Sequence, residues 1–164
     1  MKLIIFIGVP GSGKSTRAKQ LSNQINEADM YPGLYQHGKI QFHLLEKAHL
    51  YCLHQVESQM KEFQSVIVQS NTNLNPKDVL PYLSLASHYH YQVQFMLPSY
   101  GLLHFNYNPS YEKQIQHIKK ARQDKFIPIH TLDKMINTFE ANKQVYLELS
   151  LLSIDEMINK LMSL

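Results

Sequence analysis

Gly8, Gly13, Lys14 and Ser15 have the spacing G-x-x-x-x-G-K-S, and a further glycine, Gly11, lies between the two glycines of this pattern. At this spacing the glycines let the backbone curl so that its N–H groups surround a phosphate, because a Cβ would clash with the positive φ angles. Lys14 can then reach the β- and γ-phosphates of a nucleotide, and Ser15 can ligate Mg²⁺. The predicted chemistry is the binding of ATP and Mg²⁺ by Gly11, Ser12, Gly13, Lys14, Ser15 and Thr16.

The flanking residues supply the elements that must hold this loop. Residues 2–7 are mostly apolar, as in an interior strand of a parallel sheet, and residues 14–24 have the pattern of a helix. A glycine-rich turn without a ligand is the simpler alternative. Strand, loop and helix occur in the required order, however, and this favours a phosphate-binding loop.

Downstream, apolar runs and helical periods alternate, which predicts further strands and helices. The predicted elements are a short strand or loop at 25–33, a turn-rich stretch at 33–41, helices at 44–63, 75–88, 111–122 and 131–140, strands at 65–68, 91–97 and 145–151, and a final helix opened by a capping box at Ser153 and Glu156. Alternation of this kind predicts an α/β fold with three layers and a parallel sheet of about four to five strands.

Two of the predicted helices can be described in more detail. The apolar face of the helix at 44–63 is predicted to comprise Leu45, Ala48, Cys52, Val56, Met60 and Phe63. Pro81 lies where a backbone N–H would be needed, so the start of the helix near Asn75 is expected to be irregular or shifted to Asp78.

Composition places limits on the class of protein. The 164 residues suit a single domain, 1–164, with a helical lid at about 110–128 and a C-terminal extension at 141–164. One cysteine excludes a disulfide framework and a cysteine-type zinc site. No apolar run is long enough for a membrane span or built as a signal peptide, so a cytoplasmic location and no membrane partner are expected. The net charge of +3 is too small to establish a nucleic-acid partner by itself.

Several motifs, in order along the chain, resemble bacteriophage polynucleotide 5′-hydroxyl kinases and related AAA-type kinase-like ATP-binding domains. Besides the loop at 7–16, residues 72–76 (T-N-L-N-P) resemble the turn that follows the third strand of these kinases. Ala121-Arg122, six residues before Pro128-Ile129, is similar to their lid, and residues 27–31 are similar to their acid-containing segment. Ala48-His49 and Pro81-Tyr82 also have counterparts in eukaryotic relatives. The resemblance spans roughly residues 2–140.

The resemblance implies ATP-dependent transfer of a phosphoryl group to a hydroxyl, most readily the 5′-OH of a nucleic acid. It implies that Lys14 and Arg122 contact the phosphates and that Asp29 is the base, with Glu27 as the fallback. It also implies that Asn71, Thr72 and Asn73 line the acceptor side. The alternatives are a solvated acid in a turn for Asp29 and a surface charge for Arg122. Physically, a guanidinium suits the role because it holds two phosphoryl oxygens at once.

The sequence departs from the family in two places. Ser70 and Asn71 stand where the relatives carry an aspartate, and these residue types bind magnesium more weakly than a carboxylate does. Two outcomes follow: either magnesium is held by Ser15, ATP oxygens and water, or the activity is low or lost. Pro32 stands where viral relatives have an arginine that contacts the acceptor, so the identity of the acceptor is left open.

Rival functions therefore remain. A kinase of a small metabolite or nucleotide would share the ATP site, and an ATP-binding regulatory module without transfer activity fits the missing acid. The aromatic residues Tyr100, Phe105, Tyr107 and Tyr111 lie close in sequence to the basic residues Lys113, Lys119 and Lys120. This arrangement suits either nucleic-acid binding or cover for the sheet edge. A zinc site is not expected at His43, His49, His54, His88 and His90, because these histidines lack the helical spacing of zinc ligands. They are expected to be packed or solvated.

Overall fold

The protein is described by a computed structural model that covers residues 1–97 and 127–164, together with Lys113 and Gln116. Its strands are β1 (Lys2–Phe6), β2 (Ile25–Asn26), β3 (Tyr35–Gln36), β4 (Lys39–Ile40), β5 (Val66–Gln69) and β6 (Gln92–Met96). Its helices are α1 (Lys14–Leu21), α2 (Leu45–Lys61), α3 (Leu80–His88), α4 (Ile129–Leu149) and α5 (Ile154–Ser163). Short 3₁₀ turns occur at Ala28–Met30, Phe42–Leu44 and Pro76–Val79.

Four strands form a parallel sheet in the order β2-β5-β1-β6. At its centre, Ile4 of β1 lies opposite Val68 of β5 on one side and Gln94 of β6 on the other. This confirms the predicted α/β class with a parallel sheet. Because parallel strands end at one edge, the loops after β1, β2 and β5 come together there, where ligands bind in open sheets.

Both faces of the sheet are covered, which explains why β1 is apolar on successive residues. Leu3 and Ile5 are completely buried in a core shared with α2, α3, α4 and α5. Ile4 and Phe6 face the other way and pack with Ala18 of α1. Alternation of side chains along a strand produces this division, and it gives the three layers that the sequence predicts.

The apolar face of α2 is largely as predicted, but one member is wrong. Ala48, Cys52, Val56 and Met60 are buried on this helix. Phe63 instead lies beyond the helix end, with a φ of 56° and 75% of its surface exposed. The left-handed backbone that ends the helix turns this side chain away from the core.

The strand predicted at 145–151 is also wrong, because these residues belong to α4 and the turn after it. The buried residues of α4 are spaced as on a helix: Leu132, Ile136, Phe139, Tyr146 and Leu149. The short alternation at 145–151 is therefore incidental to a longer helical period. The C-terminal extension adds no strand, and Met157 and Leu161 of α5 cover the core instead.

The irregular start predicted for the helix with Pro81 is confirmed. A 3₁₀ turn at Pro76–Val79 precedes α3, and Pro81 falls in the first turn of that helix. Asn75 and Asp78 form a capping box, in which Asp78 Oδ2 accepts from the backbone N–H of Asn75 at 3.2 Å. The predicted capping box of Ser153 and Glu156 opens α5.

The turn-rich stretch after Gly33 forms a small antiparallel hairpin of β3 and β4. Its two turn residues, His37 and Gly38, have φ angles of 49° and 74°. Positive φ at both positions is the geometry of the tight hairpin turn that matches strand twist. The hairpin follows directly on the acid-bearing segment at 27–29.

The predicted lid lies mostly outside the described residues. Lys113 and Gln116, within the helix predicted at 111–122, are helical and exposed. Arg122, the aromatic stretch and the other basic residues of this region are not among the described residues. The assignment of 1–164 to one domain with a lid at about 110–128 stays a prediction.

Candidate functional site

The phosphate loop joins β1 to α1 and depends on two left-handed glycines. Gly11 and Gly13 have φ angles of 79° and 90°, and Gly13 directly precedes the first residue of α1. An L-residue with a side chain is strained at such angles, which explains the glycines of the motif. The first N–H groups of α1 have no partner within the helix, so the loop ends at a positive partial charge suited to an anion.

Lys14 lies folded over this loop. Its Nζ donates to the carbonyl oxygens of Gly8 at 2.8 Å and Val9 at 2.9 Å, and the residue is only 7% exposed. The ammonium group is therefore held against the first residues of the loop by carbonyl dipoles. A phosphate oxygen is a stronger partner for an ammonium than a neutral carbonyl is, so this position fits a role on the phosphates.

Ser15 makes a contact that links the loop to β2. Its Oγ donates to Glu27 Oε1 at 2.6 Å, and this hydrogen bond is partly buried. Thr16, one residue later, is exposed on the first turn of α1. Ser15, the predicted magnesium ligand, thus lies beside Glu27, which is predicted from the sequence only as a fallback base.

The backbone on both sides of Glu27 is anchored. Asn26 Nδ2 donates to Gln59 Oε1 at 3.0 Å and to the carbonyl of Val68 at 2.9 Å. The N–H of Ala28 donates to Asn71 Oδ1 at 2.8 Å. Glu27 therefore projects from a rigid segment, and its approach to Ser15 is set by the pairing of β2 with β5.

Asp29 lies on the 3₁₀ turn after β2 and is exposed. The hydroxyl of Tyr35, in the neighbouring hairpin, donates to Asp29 Oδ1 at 3.2 Å. The Asp29 carboxylate is thus exposed, and the Tyr35 hydroxyl orients one of its oxygens. Among the three predicted catalytic residues, the structure describes Lys14 and Asp29, whereas Arg122 lies outside the described residues.

The polar turn after β5 is built mainly into the protein. Asn71 is buried, and its Nδ2 donates to Tyr82 Oη at 3.4 Å in addition to the contact with Ala28. Asn73, also buried, donates from Nδ2 to the carbonyl of Phe6 and to Gln69 Oε1, both at 2.7 Å. Thr72 is partly exposed, and its carbonyl accepts from the N–H of Gly8 at 2.9 Å. The two asparagines tie the turn to the phosphate loop and to β2.

Two buried hydroxyls near the loop have no hydrogen-bond partner among the described residues. They are Ser12 Oγ in the phosphate loop and Ser70 Oγ at the end of β5. Unpartnered buried hydroxyls are costly and unusual in folded proteins. Together with the left-handed glycines and the position of Lys14, they make this edge of the sheet a fitting site for nucleotide phosphates.

Two buried weak acids, Cys52 and Tyr82, contact Asn71 in the polar turn after β5. Burial raises the pKa of Cys52 from 9.0 to about 11, and the charge of Glu27 adds to that rise. Burial likewise raises the pKa of Tyr82 well above its usual range, with Cys52 contributing. Both groups therefore stay protonated at neutral pH and act as neutral hydrogen-bonding partners of Asn71.

The described residues of this site do not by themselves provide a full set of metal ligands. No group of three or more His, Cys, Asp or Glu side chains among the described residues is arranged to hold an ion. Magnesium commonly binds through one or two protein oxygens plus substrate phosphates and water, and Ser15 with Glu27 fits that pattern.

In the described ranges, none of the helices is both long and apolar enough to cross a membrane. A cytoplasmic location stays a prediction.

Sequence reasoning missed two contacts that shape the site. The first is the contact of Glu27 with Ser15 of the phosphate loop. The one sequence feature that pointed to it was the position of a carboxylate directly after a short strand. Tyr146 of α4 donates from its hydroxyl to the carbonyls of Asn73 at 2.6 Å and Asn75 at 3.2 Å. No local pattern links those residues, since 73 positions separate Tyr146 from Asn73.

Comparison with known proteins agrees with this geometry. A family model described as "AAA domain" matches residues 3–142, which include the phosphate loop, the acid-bearing segment and most of α4. NEDD4-binding protein 2 of Homo sapiens is 33% identical over 103 residues. That match covers 58% of this chain but only 6% of the relative, so the chain corresponds to a small part of that protein. The chain belongs to the AAA domain family of nucleotide-binding, P-loop kinase-like proteins.

Proposed function

We propose that the chain is a phosphotransferase that moves the γ-phosphate of ATP to a hydroxyl, with the 5′-OH of a nucleic acid as the favoured acceptor. The observation that carries this proposal is the 2.6 Å contact between Ser15 and Glu27. It brings the acid-bearing segment after β2 against the phosphate loop. Phosphoryl transfer needs a carboxylate beside the acceptor within reach of the phosphates, and Asp29 follows two residues after Glu27 in this segment.

The nucleotide would be held by residues 11–16. Gly11, Ser12 and Gly13 surround the phosphates with backbone N–H groups, and Lys14 moves from its carbonyl partners to the β- and γ-phosphates. Magnesium, with Ser15 as a ligand, would neutralise charge on the phosphate oxygens. Arg122 would add a bidentate cation when the lid closes, a role supported by sequence alone.

Asp29 is the proposed base. The acceptor oxygen attacks the γ-phosphorus, its proton passes to the Asp29 carboxylate, and the bond from the γ-phosphorus to the oxygen bridging it to the β-phosphate breaks, releasing ADP. Exposure of Asp29 leaves room for the acceptor. The hydrogen bond from Tyr35 holds one carboxylate oxygen in place.

Three features favour a nucleic acid over a small acceptor. Asp29 is exposed instead of enclosed in a small pocket, and its neighbour Met30 is 61% exposed. Phe42, at the end of the hairpin that orients Asp29, is 76% exposed and could stack on a base. The basic stretch at 113–125 adds charge for a phosphate backbone. Of the three residues predicted to line the acceptor side, Thr72 is the one with an exposed surface, while Asn71 and Asn73 would shape the turn.

A second candidate is an ATP-binding module without transfer activity. The specific observation in its favour is that β5 ends in Ser70 and Asn71, neither of which is an acid. A kinase of a small metabolite is a further rival that differs only in the acceptor.

One experiment separates these functions. The protein is incubated with ATP labelled in the γ-phosphate and, in parallel, with 5′-hydroxyl RNA, 5′-hydroxyl DNA and a mixture of nucleosides. We expect label on an oligonucleotide, and none with Lys14→Met, which lacks the cation on the phosphates. Label on nucleosides alone supports the small-acceptor kinase. ATP binding without transfer to any acceptor contradicts the proposed function and supports the binding module.

A further inference from the structure

The end of β5 cannot supply a carboxylate to a metal, and its polar groups are otherwise arranged. Asn71 uses its amide on Ala28 and Tyr82, and both of its polar atoms are engaged with the protein. Ser70 Oγ is buried without a hydrogen-bond partner among the described residues, and a neutral hydroxyl brings no charge. Any negative charge that the protein adds to that of the ATP phosphates around a divalent cation must therefore come from another strand.

We propose that Glu27, at the end of β2, supplies this carboxylate and holds Mg²⁺ together with Ser15. The inference rests on the proposed use of ATP, and it assigns Glu27 to the metal and not to the acceptor. In this arrangement the metal-binding acid has moved from the end of β5 to the end of the adjacent strand, β2. The two strands are neighbours in the sheet, and the contact of Glu27 with Ser15 brings the carboxyl end of β2 to the phosphate loop.

The separation of the two oxygens supports the assignment. Ser15 Oγ and Glu27 Oε1 are 2.6 Å apart. Neighbouring ligands of an octahedral Mg²⁺ at 2.0–2.1 Å from the ion are about 2.9 Å apart. A small outward movement of one side chain would convert the hydrogen bond into a pair of adjacent ligands.

The surroundings of Glu27 suit a cation site. Among the described residues, no Lys, Arg or His lies within 4.0 Å of its carboxylate, so its charge is not neutralised by an ion pair there. Its neighbours Asn26 and Ala28 are fixed by hydrogen bonds to Gln59 and Asn71. A preorganised carboxylate loses little conformational entropy when it binds a metal.

A structural role for Glu27 is the simpler alternative. The first turn of α1 contains no acidic residue, and Glu27 could stabilise the helix N-terminus through Ser15. That role predicts a loss of stability in Glu27 variants without any change in how magnesium affects ATP binding. The two roles can therefore be separated by a binding measurement.

The test compares ATP dissociation constants of the full chain in excess Mg²⁺ and in EDTA, without an acceptor, for wild type and Glu27→Gln. In EDTA the carboxylate repels the phosphates, so we expect Glu27→Gln to bind ATP at least as tightly as wild type. In Mg²⁺ we expect it to bind more weakly, so that the gain in affinity from Mg²⁺ falls about 10- to 100-fold. Glu46→Gln, which removes an exposed carboxylate on α2, should leave both constants unchanged.

Glu27→Asp keeps the charge and serves if Glu27→Gln fails to fold, which circular dichroism would reveal. We expect Glu27→Asp to keep part of the Mg²⁺ effect. An unchanged Mg²⁺ effect in Glu27→Gln, or in both variants, overturns the inference. If the Mg²⁺ effect depends on Glu27 but no acceptor is phosphorylated, the inference stands and the proposed phosphotransfer fails. If transfer occurs while the Mg²⁺ effect is independent of Glu27, the reverse holds.

Discussion

Two carboxylates that are two residues apart, Glu27 and Asp29, lie in different surroundings. Glu27 is half-buried and contacts Ser15, whereas Asp29 is exposed and accepts a hydrogen bond from Tyr35. The environment of a carboxylate decides which task it can perform. The pair can therefore divide the work, with one residue on the metal and the other on the acceptor.

Replacement of Asp29 by Asn tests this division. Asparagine keeps the shape and accepts the hydrogen bond from Tyr35, but it cannot take the proton of an acceptor hydroxyl. We expect kcat for transfer to fall by about 10²- to 10⁴-fold, while the dissociation constant for ATP stays near that of wild type. Single-turnover transfer and equilibrium ATP binding measure the two quantities. A variant that transfers at the wild-type rate would remove Asp29 from the mechanism.

The residues of the phosphate loop could be predicted because the motif is local. Lys14 and Ser15 follow the glycines directly, and the backbone geometry that they need is encoded within a few positions. The contact between Ser15 and Glu27 could not be predicted, because it depends on the placement of β2 beside β5. The partners of Asn71 could not be predicted either. Its amide suggested a contact with a ligand, but the amide instead contacts Ala28, after β2, and Tyr82 of α3.

At the scale of elements, α4 supports the turn that follows β5. Tyr146 is buried against Phe95, with ring centroids 5.4 Å apart, and its hydroxyl donates to the carbonyls of Asn73 and Asn75. Asn142 Nδ2 donates to the carbonyl of Leu74 at 3.0 Å. One helix therefore satisfies three successive carbonyls of a turn with little regular structure of its own.

Tyr146→Phe removes these hydroxyl contacts and keeps the aromatic ring. We expect the free energy of unfolding to fall by about 1–3 kcal/mol, because the carbonyl of Asn73 loses a buried donor. Urea denaturation measures the change. Tyr89→Phe is the matched control, since its hydroxyl contacts Glu57 at a less buried site and its loss should cost less. Equal losses in the free energy of unfolding would show that the Tyr146 hydroxyl contributes no more stability than the less buried hydroxyl of Tyr89.

Element types were predictable where the period was long and unambiguous. The apolar runs of β1 and β5 and the helical face of α2 identify these elements from sequence. The stretch at 145–151 was wrongly predicted as a strand, because alternation over a few residues also fits part of a helix. Packing against the core decides the matter, since Tyr146 and Leu149 continue the buried face begun at Leu132.

At the scale of the whole molecule, several weak acids are buried in their neutral forms. Burial raises the pKa values of Cys52, Tyr82 and Tyr146 above their ordinary values. In the unfolded chain these groups lose their protons at lower pH than in the folded protein. Above that lower pH the unfolded state binds fewer protons, so stability falls as pH rises.

Cys52 makes this effect measurable. Its pKa is about 11 in the folded protein and 9.0 in the reference state, so its contribution is complete below pH 9 and is lost as the pH rises towards 11. We expect wild type to lose about 1 kcal/mol more stability than Cys52→Ala between pH 8 and pH 10. Urea denaturation at the two pH values gives the comparison. An equal loss in both proteins would contradict a raised thiol pKa.

The hydrogen bonds that join Phe6 to Asn73 and Asn73 to Tyr146 connect residues that are far apart in the sequence. They therefore affect how the chain folds during synthesis. Synthesis begins at the N-terminus, so the phosphate loop leaves the ribosome long before the residues that support it. β1 must wait for β5 and β6, and the turn after β5 must wait for α4. Such long-range contacts slow folding, because a large loop closes before they form. The segment with the clearest chemical signature is thus made before the residues that hold it in place.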